Sequence, residues 1–295
     1  MRKSAKRMGL FAAIAVGALV PPSLVGQQAG PSPGSIPDGW YAYPEEKLKH
    51  LDETTLRCFN YSHNEWQVTS EGNVIKIIKK LRDKSDELSL PPLLKHAEGM
   101  PGRTVRAGLR SVLHFKNDWL LAYDGGEWGG GLWLTNEDGS KTRRVVSDNV
   151  RAVVQIDGGI LVLAGRAHMS MDFGNAFIFS NPDGLNISVQ HAVHLDGAPS
   201  AYAKEPDGSV LFVTTHGLCR ITKSGELQRL TYFPKWTVQQ YPNSMAISSD
   251  GSIYIAMRMF VLKVRANSGK YSEEWLLPNE CRKFDLKQFD CVCEP

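Results

Sequence analysis

One phrase recurs along this chain, and few folds accommodate it. It consists of a short apolar run, a tight polar turn, a second apolar run, a loop and a third run. Its clearest copy is Pro242 to Val264, where Ser249-Asp250-Gly251 separates SMAIS from SIYIAM and FVLKV follows. Five copies can be laid out, with first runs near Leu56 (LRCFNY), Leu109 (LRSVLHF), Arg151 (RAVVQI), Ala201 (AYAKE) and Ser244 (SMAIS). Each is followed by Asn, Asp or Gly: His63-Asn64, Asn117-Asp118, Asp157-Gly158-Gly159, Asp207-Gly208 and Asp250-Gly251. These residues tolerate the positive φ of tight hairpins. The second runs are EWQVTS, WLLAY, ILVLAG, VLFVTT and SIYIAM, and the third are VIKIIKK, GLWLTN, AFIFSN, LCRIT and FVLKV.

A further turn follows the third run at Arg82-Asp83-Lys84, Asp138-Gly139, Asp183-Gly184, Ser224-Gly225 and Ser268-Gly269. More polar fourth runs come next, such as KTRRVVS, ISVQHAV, ELQRLTYF and YSEEWLL. Four short strands recurring every ~40 to 55 residues describe the blade of a β-propeller. The middle strands of a blade are covered on both faces, so their runs are nearly continuous in Val, Ile, Leu, Phe and Trp. The outermost strand meets water and is more polar. The expected fold is therefore all-β: a propeller of about five four-stranded blades after an N-terminal signal peptide and linker. A sandwich or β-helix with coincidental spacing is the competing architecture. A sixth blade would have to come from residues 40–55 or from the tail.

The expected organisation is a signal peptide over residues 1–26, a linker and N-terminal extension over 27–55, the propeller over 56–278 and a Cys-rich tail over 279–295. Arg2, Lys3, Lys6 and Arg7 precede the apolar run Met8 to Val20, which Pro21-Pro22 ends. A basic start and an apolar run too short to span a bilayer read as an export signal. QQAGPSPGSIPDG (27–39) is linker-like, and residues 86–107 read as an outer strand plus an inter-blade excursion. Export implies a secreted or periplasmic protein with no stable membrane insertion after signal cleavage, in a compartment that permits disulfides. Of the five Cys, Cys281 is expected to join Cys291 or Cys293, the other to reach Cys58, and Cys219 to be a buried free thiol. With the four leader bases set aside, 30 Lys and Arg face 31 Asp and Glu. That balance argues against nucleic acid as partner.

The copy at Pro242–Val264 resembles a repeat of the virginiamycin B lyase propellers, and also of the NHL and SMP-30/gluconolactonase-like groups. The resemblance rests on Pro242-Asn243, Ala246-Ile247, Asp250-Gly251, Ile253-Tyr254-Ile255 and Val261–Val264, and on Asp207-Gly208 with VLFVTTHGLCRIT. It covers mainly the second half of the chain and consists of blade motifs, which specify fold far more than chemistry. It implies a propeller. For activity it implies either a His and Glu pair with Mg²⁺ or a carboxylate/Asn cluster holding a divalent metal at the channel mouth. No residue here aligns with either set.

In a propeller blade the loop between the second and third strands opens on the same face as the inter-blade connections. The loops are then Ser70 to Asn73, Asp124 to Gly130, Arg166 to Gly174, His216-Gly217 and Met257 to Met259. Their polar and aromatic side chains form the candidate site for a small polar ligand or a protein partner: Glu71, Asn73, Asp124, Glu127, Trp128, Arg166 and Arg258. Arg258 stands in an apolar run and is expected to pair with Asp124 or Glu71. The alternative is a metal-assisted lyase or lactone hydrolase. There Glu71, Asp124 or Asp172 would hold a divalent ion such as Mg²⁺ or Ca²⁺, and His168 or His216 would be the general base. Trp236, in the connection 231–241, is a candidate stacking residue.

Overall fold

The computed structural model describes residues 36–48, 53–62, 65–72, 74–80, 90, 108–180, 187, 189, 191–233 and 240–283. The expected signal peptide, the Cys291–Cys293 tail, Asn73, Trp236, the turn 82–84 and all of 86–107 but Leu90 lie outside the described residues. The chain is a β-propeller. Its strands are β1 (Trp40–Ala42), β2 (Trp66–Glu71), β3 (Val74–Lys79), β4 (Leu109–Phe115), β5 (Asp118–Asp124), β6 (Gly130–Asn136) and β7 (Thr142–Val146). Then come β8 (Val150–Ile156), β9 (Gly159–His168), β10 (Met171–Ser180), β11 (His191–Leu195), β12 (Tyr202–Lys204), β13 (Val210–Val213) and β14 (Gly217–Ile221). The last are β15 (Leu227–Tyr232), β16 (Ser244–Ile247), β17 (Ile253–Ala256), β18 (Val261–Asn267) and β19 (Lys270–Pro278). One helix, α1 (Glu53–Tyr61), precedes β2.

Three sheets are four-stranded antiparallel meanders, β4-β5-β6-β7, β8-β9-β10-β11 and β12-β13-β14-β15. The last sheet runs β16-β17-β18-β19 and gains β1 as a fifth strand, with Trp40 opposite Pro278. The first sheet shows two strands, β2 and β3, among the described residues. The hairpin glycines expected from sequence sit where L-residues are strained: Gly139, Gly158, Gly208, Gly225, Gly251 and Gly269 have φ between 74° and 91°.

The first copy departs from expectation. LRCFNY is not an inner strand but the body of α1, which begins at Glu53. Arg57 pairs with Glu53 one turn earlier at 2.9 Å, and the Ser62 amide closes on the Cys58 carbonyl at 3.0 Å. These are helical spacings. The helix turns Cys58 into the cluster that also holds Tyr43, Leu48 and Cys281, so tertiary burial selects the helix. With α1 in place of a strand, β2 lies directly against β16, and the Val68 amide donates to Ser244 Oγ at 2.9 Å.

Packing runs from blade to blade. Leu120, Ala122, Leu132 and Leu134 of the second sheet meet Val153, Ile160, Val162 and Phe179 of the third. The opposite face of the third, with Leu161, Leu163 and Ala176, meets Val210, Phe212, Cys219 and Ile221 of the fourth. Leu211, Val213 and Leu218 of the fourth then pack on Ile253, Ile255, Leu262 and Trp275 of the last. Tyr254, Ala256 and Val261 of the last sheet pack in turn against Trp66 and Val68 of the first. Leu90 is buried against Leu121 and Tyr123 on the remaining face of the second. A strand covered on both sides gains apolar burial from every residue, which explains why Gly159 to Gly165 is buried throughout. Cys219 is the free thiol among the described cysteines; Cys58 and Cys281, both buried, are not free.

Candidate functional site

Because each of the sheets containing β4–β7, β8–β11, β12–β15 and β16–β19 is a meander, the loop between its second and third strands emerges at the same end as the end of its fourth strand. Five polar groups occupy that end between the second and third sheets. Asp124, the last residue of β5, is buried, its side chain 2% exposed. Its carboxylate lies 2.6 Å from Arg151 Nη1 and 3.2 Å from Arg110 Nη2. It also accepts from Asn149 Nδ2 at 2.7 Å and from the Gly126 amide at 3.1 Å. Burial alone would raise the Asp124 pKa. Arg151, Asn149, Arg110 and the Gly126 amide outweigh it and hold the carboxyl below its ordinary value.

The backbone is fitted tightly here. The Asp124 amide donates to the Gly108 carbonyl at 2.7 Å, and a Cβ on Gly108 would stand 2.2 Å from the Asp124 carbonyl oxygen. Asn149 also donates to the Gly126 carbonyl at 2.8 Å, tying the β7–β8 connection to the β5–β6 loop.

Further out on the same end, His168 Nε2 of the third sheet lies 3.2 Å from Glu127 Oε2 of the second. Between the third and fourth sheets, His216 Nε2 lies 3.3 Å from Asp172 Oδ2. Asp172 accepts from Thr215 Oγ1 at 2.5 Å and from the Ala198 amide at 2.9 Å, and the His216 ring stacks on Tyr232 with centroids 6.4 Å apart. Trp128 and Met169 project into water at 79% and 91% exposure. Arg166 contacts the Met171 sulfur at 2.8 Å and lies over Phe173, 5.8 Å from the ring centroid.

The structure brings some candidates together and separates others. Arg166, His168, Glu127, Trp128 and Asp124 share the side between the second and third sheets. Asp172 does not. The expected loop from Arg166 to Gly174 is largely a hairpin that prolongs β9 and β10, with Asp172 opposite Ala167 and Phe173 opposite Arg166. Alternation along β10 turns Asp172 to the far face of the sheet, toward Thr215 and His216. Asp124 and Asp172 therefore cannot share an ion, and Glu71 pairs with its own hairpin neighbour Lys76. Among the described residues no three of His, Cys, Asp and Glu converge as a metal-holding group. The expected metal set Glu71, Asp124 and Asp172 is thus dispersed by strand alternation and by prior pairing.

Arg258 pairs with neither Asp124 nor Glu71. Its Nη1 donates to the Asn60 carbonyl at 2.7 Å, and its guanidinium lies 3.5 Å from the Tyr241 ring centroid. Tyr241 in turn donates to Asn60 Oδ1 at 2.8 Å. The helix α1 supplies Asn60, and a first copy read as strands could not reveal that partner. The residues missed by sequence reasoning are Arg110, Arg151 and Asn149. A signal for the two arginines exists: LRSV and VRAV place Arg at the same position of successive copies.

Fold and site together define a propeller whose loops on one face are tied across blades by one buried arginine–carboxylate pair and by carboxylate–histidine contacts. No family model matches the chain, and no curated protein matches it. Solved structures similar to it are a streptogramin B lyase and a gluconolactonase from Xanthomonas campestris. The lyase has 14% identity and a TM-score of 0.39, with 56% of this chain and 54% of the lyase covered. The gluconolactonase has 13% identity and a TM-score of 0.33, with 58% and 57% covered. The N-terminal domain of Nup159 is similar over 80% of this chain and 67% of its own, at 12% identity and a TM-score of 0.40. The chain thus spans about half the length of the lyase and gluconolactonase structures.

Proposed function

We propose that this chain is an exported propeller that binds a small polar ligand or a protein partner at the face carrying Asp124, Glu127, Trp128, Arg166 and His168. One observation carries the reading. Loops from neighbouring blades are held in place by polar contacts that cross between sheets: the ion pair of Asp124 with Arg151, and the carboxylate–imidazole contacts of Glu127 with His168 and Asp172 with His216. A surface whose polar groups are fixed before a ligand arrives loses less entropy on binding. Beside these groups stand Trp128 and Met169, the rigid aromatic and the adaptable thioether that binding surfaces favour.

Export is supported by the basic and apolar leader and by Cys58 and Cys281 not being free. The reading takes these two as stapled to Cys291 and Cys293. No helix among the described residues is long and apolar enough to cross a membrane.

The test is a thermal-shift screen of amino acids, sugars, carboxylates and phosphates against the purified chain. The expected result is a saturable rise in Tm that Glu127→Gln or Trp128→Ala diminishes. Hits that survive both substitutions unchanged would place binding elsewhere. For export, N-terminal sequencing of protein recovered from the periplasm or medium should begin downstream of the apolar leader; accumulation of the uncleaved chain in the cytoplasm would refute it.

A further inference from the structure

Arg110 and Arg151 occupy equivalent positions in successive inner strands, and both positions are β-bulges. Leu109 pairs with Tyr123 and Ser111 with Ala122, which leaves Arg110 as the extra residue of β4. Val150 pairs with Ala164 and Ala152 with Leu163, which leaves Arg151 as the extra residue of β8. A bulge takes one residue out of alternation and re-aims its side chain. The flanking residues show it. Val150 and Val153 face the second sheet and Ala152 and Val154 the fourth, so Arg151 is the residue the alternation skips. Both re-aimed guanidiniums converge on Asp124.

The charges there do not balance. Asp124 ends β5, one residue past Tyr123; the corresponding residue of β9, one past Ala164, is Gly165. The third sheet thus offers no carboxylate at that position, and Arg151 uses the one from the neighbouring blade. Two guanidiniums share one carboxylate among the described residues. Arg151 is the inner partner, 27% exposed, and Arg110 the outer, 52% exposed. Arg151 Nε is buried and makes no hydrogen bond. On the same side of the third sheet, Arg166 is held by a thioether and an aromatic face, not by an acid.

We infer that the Arg110–Arg151 pair, pre-set by Asp124, is the anion-binding element of this face and takes the carboxylate or phosphate group of a small ligand. The planar fork of a guanidinium matches both oxyanions in a bidentate manner. Asp124 holds the inner arginine in place, and the surplus positive charge of the pair is presented through Arg110. The inference rests on the polar-ligand reading above and narrows its chemistry.

Isothermal titration with inorganic phosphate and with succinate, against potassium chloride at equal ionic strength, tests it. Glucose and xylose serve as neutral probes. The expected result is saturable binding of at least one anion, weakened tenfold or more in Arg110→Gln. Arg110→Lys, which keeps the charge but not the fork, should retain part of the affinity. Arg229→Gln, which removes an arginine paired one-to-one with Asp196 at 3.2 Å, should bind as the parent does. Equal anion affinity in parent and Arg110→Gln overturns the inference. Binding of a neutral probe with no binding of either anion also overturns it, and leaves the polar-ligand reading standing. Absence of binding by all four probes removes the anion site, and the wider screen then decides the parent reading alone.

Discussion

Asp124→Asn isolates the energetics on which the site depends. The substitution keeps the volume and removes the charge that Arg151 faces at 2.6 Å and Arg110 at 3.2 Å. Removing one partner of a buried ion pair costs about 3–5 kcal/mol, because the remaining charge is left desolvated. Arg110 is half-exposed and recovers water, so most of the cost falls on Arg151. For a chain of this size each kcal/mol moves Tm by about 2–4 °C, which gives a fall of about 6–20 °C. The pH dependence carries a sign. The folded-state pKa of Asp124 lies below its unfolded value. Its contribution is therefore complete above the unfolded pKa of about 4 and is lost as pH falls through the folded value. Thermal unfolding followed by circular dichroism from pH 7 to pH 2 reads both effects. The parent should lose stability below about pH 4, and Asp124→Asn, already destabilised, should lose less over that interval. A fall in Tm under about 2 °C, or an acid slope identical to the parent's, would refute the claim that this carboxylate is an ionised anchor.

Other expectations follow from the packing. Gly108→Ala places a methyl group 2.2 Å from the Asp124 carbonyl oxygen, and the backbone shift needed to relieve it should cost about 1–3 kcal/mol or more in urea unfolding. Phe212→Ala empties a fully buried site between the third and fourth sheets and should cost about 3–5 kcal/mol. Cys219 is buried, and its thiol pKa is pushed up to about 12 chiefly by that burial. It should resist iodoacetamide in the native protein at pH 8 and react once urea unfolds the chain; ready native labelling would contradict its placement. Deleting residues 1–43 exposes the β19 edge that β1 now covers, and size-exclusion chromatography should then show self-association.

Much of the propeller is legible in local sequence because a hairpin is a local object. Asp-Gly and Ser-Gly turns between apolar runs identify β8–β9, β12–β13, β16–β17 and β18–β19 without reference to distant residues. The alternation that separates His168 from Asp172 was legible in principle once the hairpin's length was known. Reading 166–174 as loop hid it. Arg110 and Arg151 were visible as a repeated letter, but not as functional residues, because register shifts are settled by pairing with β5 and β9.

The sequence by itself determined the repeat, the turns and the apolar pattern of the middle strands, since these are set within a few positions of the chain. Only the tertiary structure decided that LRCFNY is a helix, that β1 returns to cover β19, and that one carboxylate serves arginines from two blades. In each case the deciding partner is far along the chain. The Tyr43, Leu48 and Cys281 cluster draws in α1, Pro278 receives Trp40, and the bulges of β4 and β8 bring Arg110 and Arg151 to Asp124. Local propensity is worth fractions of a kcal/mol per residue, whereas burying a side chain or pairing a desolvated charge is worth several, so long-range contacts prevail where the two disagree.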